Sequence, residues 1–234
     1  MKIAIIGKTE DKIKSLAEKV KEFGFIYSNE NPDIVLSYGG DGMFLISERV
    51  FPRVPKIIIK DSDICNLACK YDIEVILKKL KEESYNLIEV PKLKAIRKGQ
   101  FEIRELVGIN DIVIRNTLPT EAIRFRYKIN NQEFSHILIG DGVVISTAFG
   151  SKKGAYFYSI TKREFEKYFG IAFNNITEEH KEILLKKDDI LEIEITRGNG
   201  VLVADNNRDY INLERNDLIR VHLIDDFAKI IRFE

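Results

Sequence analysis

Residues 34–45 read "IVLSYGGDGMFL", a run of strand-forming residues that breaks into two glycines, an aspartate, a third glycine and Met43. The apolar run is too continuous for a half-exposed strand and fits one buried on both faces. The residues after the glycines, 41–49, suit a short helix. A strand that ends in glycines and opens a helix is the joint of an α/β unit. There the backbone can approach a phosphate, and the first N–H groups of the helix point at it.

Working outward, the first 85 residues alternate strand and helix. "KIAIIG" reads as the first buried strand. Ile13, Leu16, Ala17, Val20 and Phe23 recur at helical spacing, and Gly24 supplies a C-terminal cap. "VPKIII" is a further strand, and Ile73, Ile76, Leu77 and Leu80 mark another helix. This β-α-β-α-β order predicts a Rossmann-like parallel sheet with right-handed crossovers.

From about residue 86 the period changes to two. "YNLIEVPKLKAIRKG", "FEIRELVGINDIVIR", "EAIRFRYKI" and "EFSHILIGDGVVIST" predict strands, with a turn at Asn130–Asn131. Residues 161–169 read as a helix capped by Thr161 with Glu164 three places on. "DDILEIEIT", "VLVADNN", "YINL", "DLIRVHLI" and "KIIRFE" return to strands. The fold class is therefore α/β, an N-terminal parallel-sheet domain followed by a mostly antiparallel β domain. The boundary falls at 87/88.

The 234 residues carry 37 basic and 37 acidic side chains, so no global field favours nucleic acid or an anionic membrane. No apolar run is long enough to span a bilayer, and the short apolar N-terminal run fits a buried strand better than a signal peptide. A cytoplasmic location, with no membrane or nucleic-acid partner, is the expectation. Cys65 and Cys69 have no second pair to complete a zinc site, and His136, His180 and His222 are scattered singly. The sequence thus offers no protein cage for a metal.

The aspartate makes the glycine loop unusual, for this is neither a P-loop nor the dinucleotide fingerprint. A carboxylate beside phosphate oxygens is repelled unless it holds a cation or accepts a proton from a hydroxyl. Asp41 is thus either a group of phosphoryl-transfer chemistry or a helix N-cap in an Asp–Gly turn. Two further stretches bear on this choice. Asn110 and Asp111 in "GINDIVIR" could read an amide edge and a ribose diol, though Asn–Asp is also a common turn. "GDGVVISTAFGSKKGAY" (140–156) joins an aspartate between glycines to Ser146, Thr147, Lys152, Lys153 and Tyr156. Its small residues allow close approach, and Tyr156 offers a flat face to a purine.

In this order, "GGDG" at 39–42, "ND" at 110–111, "DGVVISTAFGSKKGAY" at 141–156 and "ADNNRDYINLERNDLI" at 204–219 resemble the NAD kinase family, over nearly the whole chain. The resemblance implies phosphoryl transfer from ATP, another nucleoside triphosphate or polyphosphate to the 2′-hydroxyl of the adenosine ribose of NAD, giving NADP. It implies Mg²⁺ or another divalent cation carried by the nucleotide, with Asp41 as a further ligand or as the base. Gly39, Gly40 and Gly42 would form the phosphate-facing loop. Asn110, Asp111, Asp141, Ser146, Thr147, Ala155 and Tyr156 would hold NAD in a domain spanning 88–221, with Lys152 and Lys153 assisting phosphate. Residues 222–234 would return to the first domain (1–87), and the assembly would be a homodimer or homotetramer.

The chain also departs from the family pattern. Met43 replaces a threonine, Asp111 a glutamate, Ala148-Phe149 a Pro-Thr pair and Asp205-Asn206 an Asp-Gly. Residues 152–154 contain a two-residue insertion, and "KDSDICNLA" (60–68) stands where a glycine-rich turn is usual. Two other readings therefore stay open: a non-catalytic nucleotide-binding homologue, and a related GGDG kinase acting on another hydroxyl substrate such as a lipid.

Overall fold

The computed structural model describes residues 1–60, 68–100, 102–152 and 156–233, and the chain divides into two compact units: Met1–Val90 with Asp226–Glu234, and Pro91–Asp225. The first unit contains β1 (Lys2–Gly7), α1 (Glu10–Glu22), β2 (Ile26–Tyr27), β3 (Ile34–Tyr38), α2 (Asp41–Val50), β4 (Lys56–Ile59) and α3 (Ile73–Lys81). Its strands are all parallel, in the order β4-β3-β1-β2. Alternation of side chains sorts the layers. Ile3, Ile5, Ile34, Leu36, Ile57 and Ile59 pack with Leu16 and Val20 of α1 and Leu77 and Leu80 of α3. The opposite face carries Ser37, whose hydroxyl accepts from the Ser47 hydroxyl of α2 at 3.0 Å. Helix α1 ends where its cap was expected, with Gly24 at φ +81°.

The second unit is built from β5 (Asn86–Lys98) from Pro91 onward, β6 (Ile103–Gly108), β7 (Asp111–Asn116), β8 (Ile123–Ile129), β9 (Leu138–Thr147), α4 (Tyr156–Thr161), β10 (Phe169–Ile176), β11 (Ile183–Leu185), β12 (Leu191–Arg197), β13 (Gly200–Ala204), β14 (Ile211–Leu213) and β15 (Leu218–Arg232) as far as Asp225. Strand β9 is the hub. It pairs antiparallel with β10 along nearly its whole length, with β7 through 142–146 and with β8 through 138–140. Val143 and Ile145 point into one core cluster, while Val144 points into another with Val113, Phe157 and Phe165. Burial on both faces explains the unbroken apolar run "VVI". Among the described residues no helix is long and apolar enough to cross a membrane.

Two local expectations are overturned. Residues 162–168 are not helical. The helix is α4, and it ends at Thr161 rather than starting there. The Thr161 hydroxyl donates to the Phe157 carbonyl, Lys162 turns to φ +56°, and Phe165 docks edge-on against Phe157 at 5.3 Å. Core insertion of one phenylalanine thus outweighs a four-residue capping pattern. "DLIRVHLI" and "KIIRFE" also form one strand, β15, not two. It pairs with β12 at Leu218–Val221 and, at its far end, Ile230 lies parallel beside Lys56 of β4. Asp226, between the two stretches, is bridged by Arg53 at 2.9 Å.

Candidate functional site

In the first unit, β3 hands directly into the glycine loop and α2. Gly39 is buried at φ +153°, a conformation that side chains rarely adopt, and its N–H donates to the Ile59 carbonyl at 2.9 Å. A Cβ there would lie 3.0 Å from that of Met43, so Met43 packs directly on the loop it follows. Gly40 occupies the N-cap and Asp41 the first helical position, which removes the N-cap alternative for Asp41. Asp41 is half-buried and Gly42 exposed at the N-terminus of a helix, where the dipole favours negative charge on a ligand. A cavity of about 730 Å³ in this unit begins at Tyr38, the residue before the glycines, and is lined by Lys12, Lys19, Lys60 and Lys70. One of these cations, Lys19, is engaged by Glu74 at 2.7 Å.

In the second unit, the turn between β6 and β7 carries Asn110 and Asp111, and a residue nearly a hundred positions away holds it. The Asp205 carboxylate accepts three backbone N–H groups, from Ile109 (2.8 Å), Asn110 (2.7 Å) and Asp111 (3.2 Å). Asp205 sits at φ +50°, and its own N–H returns to the Asp111 carbonyl at 3.0 Å. The far side of the turn is fixed by β9. Ser146 Oγ donates to the Asn110 carbonyl at 3.0 Å, and Thr147 Oγ1 to the Ile109 carbonyl at 2.6 Å. Gly150 closes on the same turn, where a Cβ would fall 2.1 Å from the Asn110 carbonyl oxygen.

Asp111 is thereby 6% exposed and accepts the Tyr156 N–H at 3.2 Å. Burial, with the Asp205 charge adding to it, pushes its carboxyl up to about 7, against a smaller opposing effect of the Tyr156 N–H. The Tyr156 ring stays exposed at the start of α4. Asn110, Asp111, Ser146, Thr147 and Tyr156 are therefore brought together. The hydroxyls of Ser146 and Thr147 are fully buried and spent on holding the turn. Asp141 stands apart: Asp111 pairs with Ser146, so Asp141 lies roughly 17 Å further along β9. Its carboxylate accepts from Asn116 (3.0 Å) and Asn175 (3.1 Å). Lys152 is exposed and pairs with Glu166 at 3.1 Å. Lys153, Ala155 and most of "KDSDICNLA" lie outside the described residues.

Sequence reasoning missed two members of this site, Asp205 as the cradle of the turn and Gly150 as its close neighbour. "ADNN" after a strand signals a turn, but no local pattern says which distant N–H groups its aspartate will meet.

No family model matches the sequence. The chain is 28% identical over 163 residues to NAD kinase 1 of Oceanobacillus iheyensis, a match covering 64% of this chain and 60% of that relative. The chain thus spans about three fifths of the length of the curated relatives it matches. Two solved structures share the fold over the whole chain. The NAD kinase of Archaeoglobus fulgidus in complex with ATP superimposes with a TM-score of 0.82 at 20% identity, covering 98% of this chain and 93% of that one. Yeast NADH kinase complexed with NADH gives 0.85 at 14% identity, covering 100% and 84%. In sequence the chain is similar to NAD kinases, and it shares the fold of an NAD kinase and an NADH kinase.

Proposed function

We propose that the protein transfers the terminal phosphoryl group of ATP, or of another nucleoside triphosphate or polyphosphate, to the 2′-hydroxyl of the adenosine ribose of NAD. The observation that carries this reading is the Asn110–Asp111 turn, held by Asp205 and Thr147 with the Tyr156 ring exposed beside it. Such a turn presents an amide, a carboxyl and a flat ring, the groups that an amide edge, a ribose and a purine require. In the first unit Asp41 accepts the proton of the attacking hydroxyl, and the helix N-terminus after the glycines favours the phosphates. The lysine-lined cavity beside Tyr38 supports a donor that bears several phosphates. The Asp41 carboxylate has the oxygen chemistry to hold a Mg²⁺ ion brought by the nucleotide, which would neutralise phosphate charge there.

One observation favours the second reading, a nucleotide-binding homologue without turnover. Met43 fills the space over Gly39 with an apolar side chain, where the NAD kinase pattern has a hydroxyl. The two readings separate in one assay. Purified protein is given NAD, ATP or polyphosphate and Mg²⁺, and NADP is measured enzymatically. Turnover that drops at least about a hundredfold in kcat for Asp41→Asn supports the kinase reading. NAD binding without NADP from any donor overturns it, as would phosphorylation of a lipid that NAD does not inhibit.

A further inference from the structure

The histidines that stand singly in the sequence do not all stand singly in space. The β9–β10 ladder runs from Phe169 opposite Thr147 to Ile176 opposite Gly140, and the Thr177 N–H extends it to the Ile139 carbonyl at 2.9 Å. The chains continue side by side past that point, bringing His136, before β9, against Glu178 and His180, after β10. His136 Nε2 lies 2.9 Å from Glu178 Oε2, across 42 residues of sequence. The two imidazoles stack at 6.0 Å with 24° between their planes. One donor atom from each of the three residues lies within 4.8 Å of the others.

The support behind these donors is ordered. Phe173 of β10 packs on the His180 ring at 4.8 Å and is itself backed by Tyr127 at 5.5 Å. Before His136, the Ser135 N–H donates to the Tyr127 carbonyl at 2.7 Å, and its hydroxyl donates to the His136 carbonyl at 2.8 Å. A surface ion pair would explain His136 with Glu178. It does not explain a second imidazole stacked on the first with a ring nitrogen within 4.8 Å of the same carboxylate.

We propose that His136, Glu178 and His180 bind a borderline divalent cation of the zinc type. Two imidazoles and one carboxylate suit such an ion, whereas Mg²⁺ and Ca²⁺ prefer all-oxygen sets. Bonds of about 2.0–2.1 Å place tetrahedral ligand atoms roughly 3.3 Å apart, so the widest separation here must close by about 1.5 Å at most. Side-chain rotation supplies that, since His136 and Glu178 are exposed and need no backbone movement. Three protein ligands leave a fourth position for water or another donor. The bound ion clamps the β10–β11 connection to the segment leading into β9. It sits beyond the end of the ladder remote from Asp111, more than roughly 25 Å away along β9, and is independent of the reaction proposed above.

The test is calorimetric titration of the purified chain with zinc chloride, repeated with cobalt(II) while the visible spectrum is recorded. One equivalent should bind in the presence of excess Mg²⁺ and raise Tm, as any ligand specific to the folded state does. His136→Ala and His180→Ala should each weaken binding at least about tenfold, and Cys65→Ser/Cys69→Ser should leave it unchanged. Circular dichroism establishes that each variant is folded. Absence of zinc binding by the unaltered protein overturns the proposal. So does undiminished binding by the His136→Ala/His180→Ala double variant, or a thiolate-to-cobalt charge-transfer band that the cysteine variant abolishes.

Discussion

The glycine loop of the first unit and the Asn110–Asp111 turn of the second are built in opposite ways. The loop is local: Gly39, Asp41 and Met43 are neighbours in sequence, and helix α2 follows from the same dozen residues that end β3. The turn is assembled from three distant segments, with Asp205, Thr147 and Gly150 converging on Ile109–Asp111. A locally encoded site tolerates change in its surroundings, whereas one made by convergence inherits every weakness of the strands that bring it together.

Glycine substitutions test that contrast most severely. Gly142 sits at φ +136°, and a Cβ would fall 2.0 Å from the Ile114 carbonyl oxygen, in the ladder that aligns β7 with β9. Gly142→Ala should therefore cost at least about 5 kcal/mol or prevent folding of the second unit. At Gly39 the nearest approach of an added Cβ is 3.0 Å, to the Met43 Cβ, a far milder contact than the 2.0 Å at Gly142, and Gly39→Ala should cost about 1–3 kcal/mol. Hydrogen exchange resolved by segment reads each unit separately. Equal losses in the two units would refute the contrast.

A pH effect follows from Asp111. Its carboxyl is raised to about 7 in the folded chain from an ordinary value of 3.8, so the folded state holds a proton that the unfolded state has released. Stability should therefore fall as pH rises from roughly 4 to 7 and level off above, by at most about 4 kcal/mol. Asp111→Asn should remove that slope in denaturant titrations across the same range. It should also flatten any dependence of the KM for NAD on pH between about 6 and 8. A slope that survives the substitution would assign it to other groups.

Asp205→Asn is a finer cut. The amide keeps one oxygen for the Asn110 and Asp111 N–H groups and loses the oxygen that serves Ile109. About 2 kcal/mol of stability should go, with a raised KM for NAD and little change in kcat. A fall in kcat alone would place Asp205 in the chemistry rather than in holding the turn.

The same division explains how much could be read in advance. Helices α1, α2 and α3 and strands β1, β3 and β4 follow from periodicity and glycine punctuation, signals contained within a few residues, whereas the two-residue β2 carries no such signal. Asp41 and its glycines were legible for that reason. Asn110, Asp111 and Tyr156 were legible only as types of residue. That the Tyr156 N–H meets Asp111 depends on the register of β7 against β9, which no single stretch encodes. Residues 162–168 misled because Thr161 and Glu164 form a sound capping pattern, and only Phe157 across the core shows why Phe165 is pulled out of it. His136 and His180 were unreadable as a pair for the same cause: the β9–β10 ladder joins them.

The smallest effect is also the cleanest discriminator. Lys152 and Glu166 form an exposed pair, so Lys152→Ala should change stability by less than about 0.5 kcal/mol. Because so little of the fold depends on it, any functional change in that variant belongs to ligand contact rather than to packing. If Lys152 swings from Glu166 to a phosphate, the KM for ATP should rise several-fold at low ionic strength and the difference should shrink with added salt, as screening predicts for an exposed cation. A KM that does not move at any ionic strength would remove Lys152 from phosphate binding. It would also leave donor recognition to the glycine loop and the lysine-lined cavity of the first unit, making the locally encoded half of the chemistry the one that meets the phosphates.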